Sequence, residues 1–154
     1  TAWNVSIGSD VDTLRNIERL KFNDKNIAID IEGNAGKTVK FLAALLGKES
    51  VTNNEYVGAG LKLLDGGMSY EALMELGIGI LLGANPSGAS VVDLLYKNLV
   101  GSTAPQSILD EYGSMIDSGS MSATDLGIAV ADHSMTATNI DLVGLSQTGV
   151  EYII

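Results

Sequence analysis

Apolar and polar positions alternate at the start of the chain and then change period. Trp3, Val5 and Ile7 are separated by Asn4 and Ser6, the spacing of a half-buried strand, and Gly8-Ser9-Asp10 reads as a turn. Ile17 to Phe22 is a second strand candidate, followed by a turn at Asn23-Asp24-Lys25-Asn26. Ile27, Ile29 and Ile31 then share one face of a third. Residues 1–32 are therefore expected to form a short β segment of about three strands.

From Asn34 the period becomes helical. Val39, Leu42, Ala43, Leu45 and Leu46 predict a helix that Gly47 can end, and a second runs from Asn54 to Leu64 before Gly66-Gly67. Ser69 is placed to cap a third helix carrying Ala72, Leu73, Leu76 and Ile80. After a Gly/Pro/Ser-rich loop at 83–90, helices are expected over Val91–Leu99, from Pro105 to Ile116, and from a Ser122/Asp125 capping box to Ala131. Thr136 or Thr138 can cap a last short helix to Val143, and GVEYII closes the chain as an extended apolar tail.

The helical part repeats itself. LLDGGMSYEALMELG at 63–77 is echoed by MIDSGSMSATDLGIA at 115–129, so that Asp65 matches Asp117, Gly67 matches Gly119 and Met68-Ser69 matches Met121-Ser122. Upstream, LLGK at 45–48 matches LVGS at 99–102, which gives a period of a little over fifty residues. The expected architecture is α+β and mainly α. The β segment of 1–32 packs on a duplicated helical domain, 33–154, with units at about 37–82 and 90–144 and the apolar tail after them. Each amphipathic unit leaves an apolar face that its twin can cover.

Composition narrows the function classes. Apolar residues make up 45% of 154 residues, enough for a core, but only 5% are aromatic. The net charge of −10 repels phosphate backbones and anionic headgroups, so nucleic-acid binding is not expected. No apolar run approaches the roughly 18 residues of a membrane span, so insertion is not expected either. After Lys97 there is no Lys or Arg, against seven acids ending at Glu151. Without cysteine there is no disulfide, thiol nucleophile or Cys-ligated zinc.

Three stretches offer chemistry. GNAGKT at 33–38 follows a strand ending in Asp30 and opens a helix, the setting of a phosphate-binding loop. The full signature needs a glycine five residues before Gly36, and that position is Ile31. A nucleotide-binding enzyme built on this degenerate loop is thus an alternative, with a structural glycine turn as the simpler reading. His133 is the only histidine; Asp132 and Ser134 flank it, but neighbours on a helix point apart, and a position near a helix C-terminus explains it as well. Gly8-x-Asp10-x-Asp12-x-Leu14, with Asp24 in the next turn, has the look of a worn calcium-loop repeat. Asp10, Asp12 and Asp24 are the candidate metal ligands; one turn supplies half a site, so calcium is expected to bind weakly or not at all.

GSDVDTLRNIERLKFNDKNIAID, followed by GNAG, resembles the segment that closes calcium-binding β-roll arrays in secreted RTX-type bacterial proteins. VVDLLYKNLVG at 91–101, GSMSATDLGIAVADH at 119–133 and NIDLVGLSQTGVEYI at 139–153 resemble the domain-of-unknown-function 4214 family, which often trails such arrays. The resemblance implies that residues 1–32 are terminal rungs of a β-roll. It also implies an extracellular or cell-surface location in bacteria, with export by type I secretion machinery that reads an uncleaved C-terminal signal, here Glu151-Tyr152-Ile153-Ile154. The expected function is a non-enzymatic structural or adhesive module whose partners are that machinery and an upstream part of the same polypeptide. A carbohydrate- or small-ligand-binding module is a further alternative.

Overall fold

The computed structural model describes residues 2–153. Two strands, β1 (Ala2–Ile7) and β2 (Asp10–Arg15), form an antiparallel hairpin with Ala2 opposite Arg15 and Ile7 opposite Asp10. β3 (Arg19–Lys21) and β4 (Asn26–Ala28) form a second hairpin. The last strand, β5 (Val150–Tyr152), returns to pair antiparallel with β4, so the order of the second sheet is β3-β4-β5. The β segment of 1–32 therefore has four strands rather than three. β2 lies where a turn and a calcium-like loop are expected: its side chains are mostly exposed, so no apolar alternation marks it. β3 and β4 are shorter than the runs Ile17–Phe22 and Ile27–Ile31 that predict them.

Eight α-helices are described, making the protein mainly α with a small β component. α1 (Asn34–Leu46) leads through a 3₁₀ turn (Lys48–Thr52) to α2 (Asn54–Asp65) and α3 (Tyr70–Leu82). α4 (Gly88–Val100), α5 (Gln106–Asp117) and α6 (Ala123–Ala131) follow in the same order. Two short helices, α7 (Ser134–Asn139) and α8 (Leu142–Thr148), lead into β5. They replace the single short helix expected to Val143. The cap of α7 is His133 and that of α8 is Asp141, where Thr136 or Thr138 is expected.

The duplication is visible in the hydrogen bonds. α1 and α4 end at Gly47 and Gly101, whose φ values of 86° and 84° suit glycine alone, and whose N–H groups donate to Ala43 and Lys97. Ser69 caps α3 and Ser122 caps α6, the latter in a full capping box with Asp125. The matched acids, Asp65 and Asp117, do matched work. Each ends the second helix of its unit and reaches back to the start of the first: Asp65 accepts from the Asn34 side chain at 2.8 Å, Asp117 from the Gly88 N–H at 2.7 Å. The units meet where α3 packs on α6. There a Cβ on Gly127 would lie 2.8 Å from the Met74 sulfur, so a large residue fits against the absence of one at the same position of the repeat.

α1 is the axis of the packing. Val39, Leu42 and Ala43 face a core shared with Ala28, Val57, Leu61, Ile140, Val150 and Tyr152. Ala44 and Leu45 face a second, with Tyr70, Met74, Ile78, Val91, Leu95 and Ala131. A helix so deeply placed needs small residues where backbone approaches it, and a Cβ on Gly36 would overlap the Ile31 carbonyl. Leu46, expected inward, is 42% exposed.

The tail is part of the fold. Val150 and Tyr152 are buried, the Ile153 N–H donates to the Asn54 carbonyl at 3.0 Å, and a Cβ on Gly58 of α2 would overlap the Ile153 carbonyl oxygen. β5 is thus wedged between β4 and α2.

Candidate functional site

The Gly-rich stretch carries the most concentrated polar chemistry in the molecule, and that chemistry is directed inward. Asp30 ends the segment after β4, and one of its carboxylate oxygens accepts the Asn34 N–H at 2.9 Å and, more weakly, the Ala35 N–H at 3.5 Å. Those are first-turn donors of α1, the groups a bound phosphate would use. A Cβ on Gly33 would lie 2.7 Å from the same oxygen, so the glycine lets the carboxylate in.

Arg19 completes the arrangement from β3. One guanidinium nitrogen pairs with Asp30, while Nε and Nη2 form a two-point contact with Asp65 at 3.1 and 2.7 Å. Burial opposes the charge on Arg19, yet the Asp65 and Asp30 carboxylates outweigh it and hold the guanidinium above its usual pKa. Asn34 donates to the same Asp65 oxygen that Arg19 Nη2 contacts. Arg19, Asp30, Asn34 and Asp65 therefore tie β3, the strand-to-helix turn, α1 and the end of α2 into one knot. Lys37 turns away from it, with its ammonium 6.0 Å from the centre of the Tyr70 ring. Lys40 is partly buried and pairs with Asp132 at 3.1 Å.

The other predicted residues are dispersed. His133 accepts the Met135 N–H at its Nδ1, at 3.1 Å, and so begins α7 rather than ending the helix before it. Asp132, its neighbour, is committed to Lys40, so no His133–Asp132 hydrogen bond is formed. Asp10 and Asp12 stand on the exposed β2, opposite Ile7 and Val5, and Asp24 lies in the turn between β3 and β4. Among the described residues no three His, Cys, Asp or Glu side chains gather into a group that could hold a metal. The acids after Lys97 are not all without counter-charge: besides Asp132, Glu151 pairs with Lys25 at 2.6 Å and holds that ammonium above its usual pKa. Asp125 and Asp141 cap helices, and Asp117 holds the start of α4.

Two apolar grooves lie at corresponding places in the two units. One, of about 170 Å³, is lined by Phe41 and Leu42 of α1, Tyr56 and Gly60 of α2, and Leu76 and Ile80 of α3, among others. The other, of about 300 Å³, is lined by Leu95 and Tyr96 of α4, Ile108 and Tyr112 of α5, Ala129 of α6 and His133 at the start of α7, among others. These six residues are the repeat equivalents of the first six. Neither groove contains a charged side chain.

Sequence reasoning finds the pairing of Asp65 with Asp117 through the repeat. It misses Arg19 and Asp30 as partners, although an acid three residues before the first glycine of a helix-opening loop is a capping signal. No helix among the described residues is long and apolar enough to cross a membrane. No family model, curated protein or solved structure matches this chain.

Proposed function

We propose that the chain is a non-enzymatic structural or adhesive module of a larger secreted or cell-surface bacterial protein, joined to its upstream part through the β1–β2 hairpin. The observation that supports this most is the closure of the α1 N-terminus by Asp30. The first-turn N–H groups that a nucleotide-binding reading requires are taken by Asp30, and Lys37 turns away from them. A carboxylate already sits against the first-turn N–H groups, where a phosphate would meet like charge. The β1–β2 hairpin fits an attachment point, because an isolated two-stranded sheet is marginal in water and gains stability from further strands.

On this reading the C-terminal residues carry the export signal, with Glu151 ahead of Tyr152, Ile153 and Ile154. Val150 and Tyr152 are buried once the chain folds, so the signal is presented to the transporter before folding. Glu151, outside the core and paired only with Lys25, separates recognition from stability. A passenger fused ahead of the chain in a type I secretion strain is expected to appear in the medium. Glu151→Lys should reduce that export several-fold while leaving the melting temperature of the purified protein nearly unchanged. Normal export after deletion of residues 150–154 excludes the signal. Calorimetry with ATP and GTP should show no binding heat; heat that disappears in Lys37→Ala establishes the nucleotide-binding alternative instead.

A further inference from the structure

A cleft of about 440 Å³, larger than either apolar groove, lies between the β1–β2 hairpin and the segment that leads into α1. Part of its lining is apolar: Trp3 of β1, Ile17, and Ile29 and Ile31 from the stretch after β4. The rest is polar: Asn16 at the end of the hairpin, Asp30 and Glu32 ahead of α1, and Ser146 on α8. Separate segments thus bring an aromatic ring and several polar groups to one hollow, the setting in which small ligands bind.

Trp3 is the only tryptophan of the chain, yet it belongs to neither core and is half-buried. It brings a flat apolar surface and one N–H donor to the cleft. The polar groups are not all spent on the fold. Glu32 is exposed and joins none of the ion pairs among the described residues, which link Arg19 to Asp30 and Asp65, Lys25 to Glu151 and Lys40 to Asp132. Asp30, by contrast, has its charge balanced by Arg19 and by the first-turn N–H groups of α1. The Ser146 hydroxyl donates to the Val143 carbonyl at 2.6 Å, which leaves its oxygen able to accept. Asn16 adds an amide with both donor and acceptor.

This lining selects among ligand classes. Among the described residues no Lys, Arg or His lines the cleft, and Glu32 carries an uncompensated negative charge, so phosphates and carboxylates are repelled. A wholly apolar ligand would cover Glu32, Asn16 and Ser146 without giving them partners. A small cation meets one exposed carboxylate, since Asp30 is already compensated, and a contact of that kind is worth little in water. A neutral sugar ring matches the whole set. Its C–H face packs on an indole, and its rim of hydroxyl groups donates to carboxylate and amide oxygens while accepting from an amide or indole N–H.

We propose that this cleft is a binding site for neutral saccharides, with Trp3 as the stacking surface and Glu32 as the main acceptor of sugar hydroxyl groups. Sugar binding here stands apart from the export reading, and either can fail without the other. Because Trp3 is the only tryptophan, its fluorescence reports on the cleft directly. The full chain is screened on an array of neutral glycans and titrated with the glycans it retains, and with lactose, maltose and cellobiose up to about 20 mM, a range that covers millimolar dissociation constants. A saturable change in Trp3 emission is expected with at least one of them. Glu32→Ala should raise the dissociation constant at least about tenfold, as loss of a hydrogen bond to a charged group does, and leave the melting temperature nearly unchanged because the side chain is exposed. Trp3→Ala, followed by calorimetry since it lacks the reporter, should abolish binding, whereas Trp3→Phe should keep part of it. Inorganic phosphate and tetramethylammonium at the same concentrations should leave the emission unchanged. The absence of a saturable response to any neutral glycan overturns the proposal. So does binding undiminished in Glu32→Ala and Trp3→Ala while both remain folded, or saturable binding of tetramethylammonium where no saccharide binds.

Discussion

Two hydroxyl groups inside the helical core have no hydrogen-bond partner: those of Thr38 on α1 and Tyr70 at the start of α3. Each carries the desolvation cost of a buried polar group without the bond that offsets it. Tyr70→Phe and Thr38→Val keep the shape and remove the orphan, so each should raise stability by about 1 kcal/mol in urea unfolding at pH 7. For Tyr70 there is a second consequence. Burial, with a smaller contribution from Asp132, pushes the phenol well above its usual pKa. A phenol that resists ionisation in the folded state stabilises the fold fully below the unfolded pKa, near 10, and loses that contribution as pH rises above it. The parent should therefore lose more stability than Tyr70→Phe between pH 8 and 11, measured in parallel urea titrations. The opposite sign is expected at Gly36, where a Cβ would overlap the Ile31 carbonyl: Gly36→Ala should cost about 3 kcal/mol, because backbone rather than a mobile side chain must give way. Gly36 is legible in the sequence as the glycine of a strand-to-helix turn. The Arg19–Asp30–Asp65 knot is not, because its members come from three segments and nothing in local pattern pairs them. Asp65 stands out only through its twin Asp117.

At the scale of elements, legibility follows burial. α1 to α6 are found by apolar spacing and by their Ser and Gly caps, since those helices place one face in a core. β2 is missed for the converse reason: nearly all of its side chains are exposed, and among the described residues it pairs with β1 alone. α7 and α8 are blurred into one because their caps are His133 and an Asp141 in left-handed conformation (φ 48°), neither announced by a preceding apolar period. β5 is the instructive case. The alternation of Val150 and Tyr152 marks a strand, but a signal-like tail reads identically. In the structure it is an edge strand by hydrogen bonding and a core element by side chains. All strand pairs among the described residues are antiparallel. Deleting residues 150–154 removes two buried side chains worth about 1.5–3 kcal/mol each. The sum of about 3–6 kcal/mol is a large share of the about 5–15 kcal/mol that holds a domain of this size. Circular dichroism of the truncated chain should show a melting temperature lowered by more than about 10 °C, or no cooperative transition at all. A shift of only a few degrees would mean that β4 and α2 close over the vacancy.

For the molecule as a whole the dominant long-range quantity is a net charge of −10, unevenly spread. The second unit holds most of it, and several of its acids are placed at helix starts, where Asp125 and Asp141 meet the partial positive charge of first-turn N–H groups. That local compensation leaves their mutual repulsion in place, and salt screens repulsion between exposed charges once the Debye length falls to about 10 Å, near 0.1 M. Stability should accordingly rise with sodium chloride up to a few tenths molar and then level off. Calcium enters as a distinct question. Asp10 and Asp12 lie on one strand and Asp24 in another hairpin's turn, and among the described residues they do not gather with other ligand groups. Divalent ions should then act on this surface as screening charges with modest preference. The decisive comparison is thermal unfolding in about 5 mM calcium against the same concentration of magnesium, both in 0.15 M sodium chloride, where general screening is already near its limit. Equal shifts of a degree or two are the expected result. A calcium-specific rise of more than about 10 °C that is lost in Asp10→Asn/Asp12→Asn would show that the two aspartates acquire partners on binding. If the rise persists in that double variant, the ion is held elsewhere, and the resemblance of Gly8 to Leu14 to a calcium loop has no functional content in this chain.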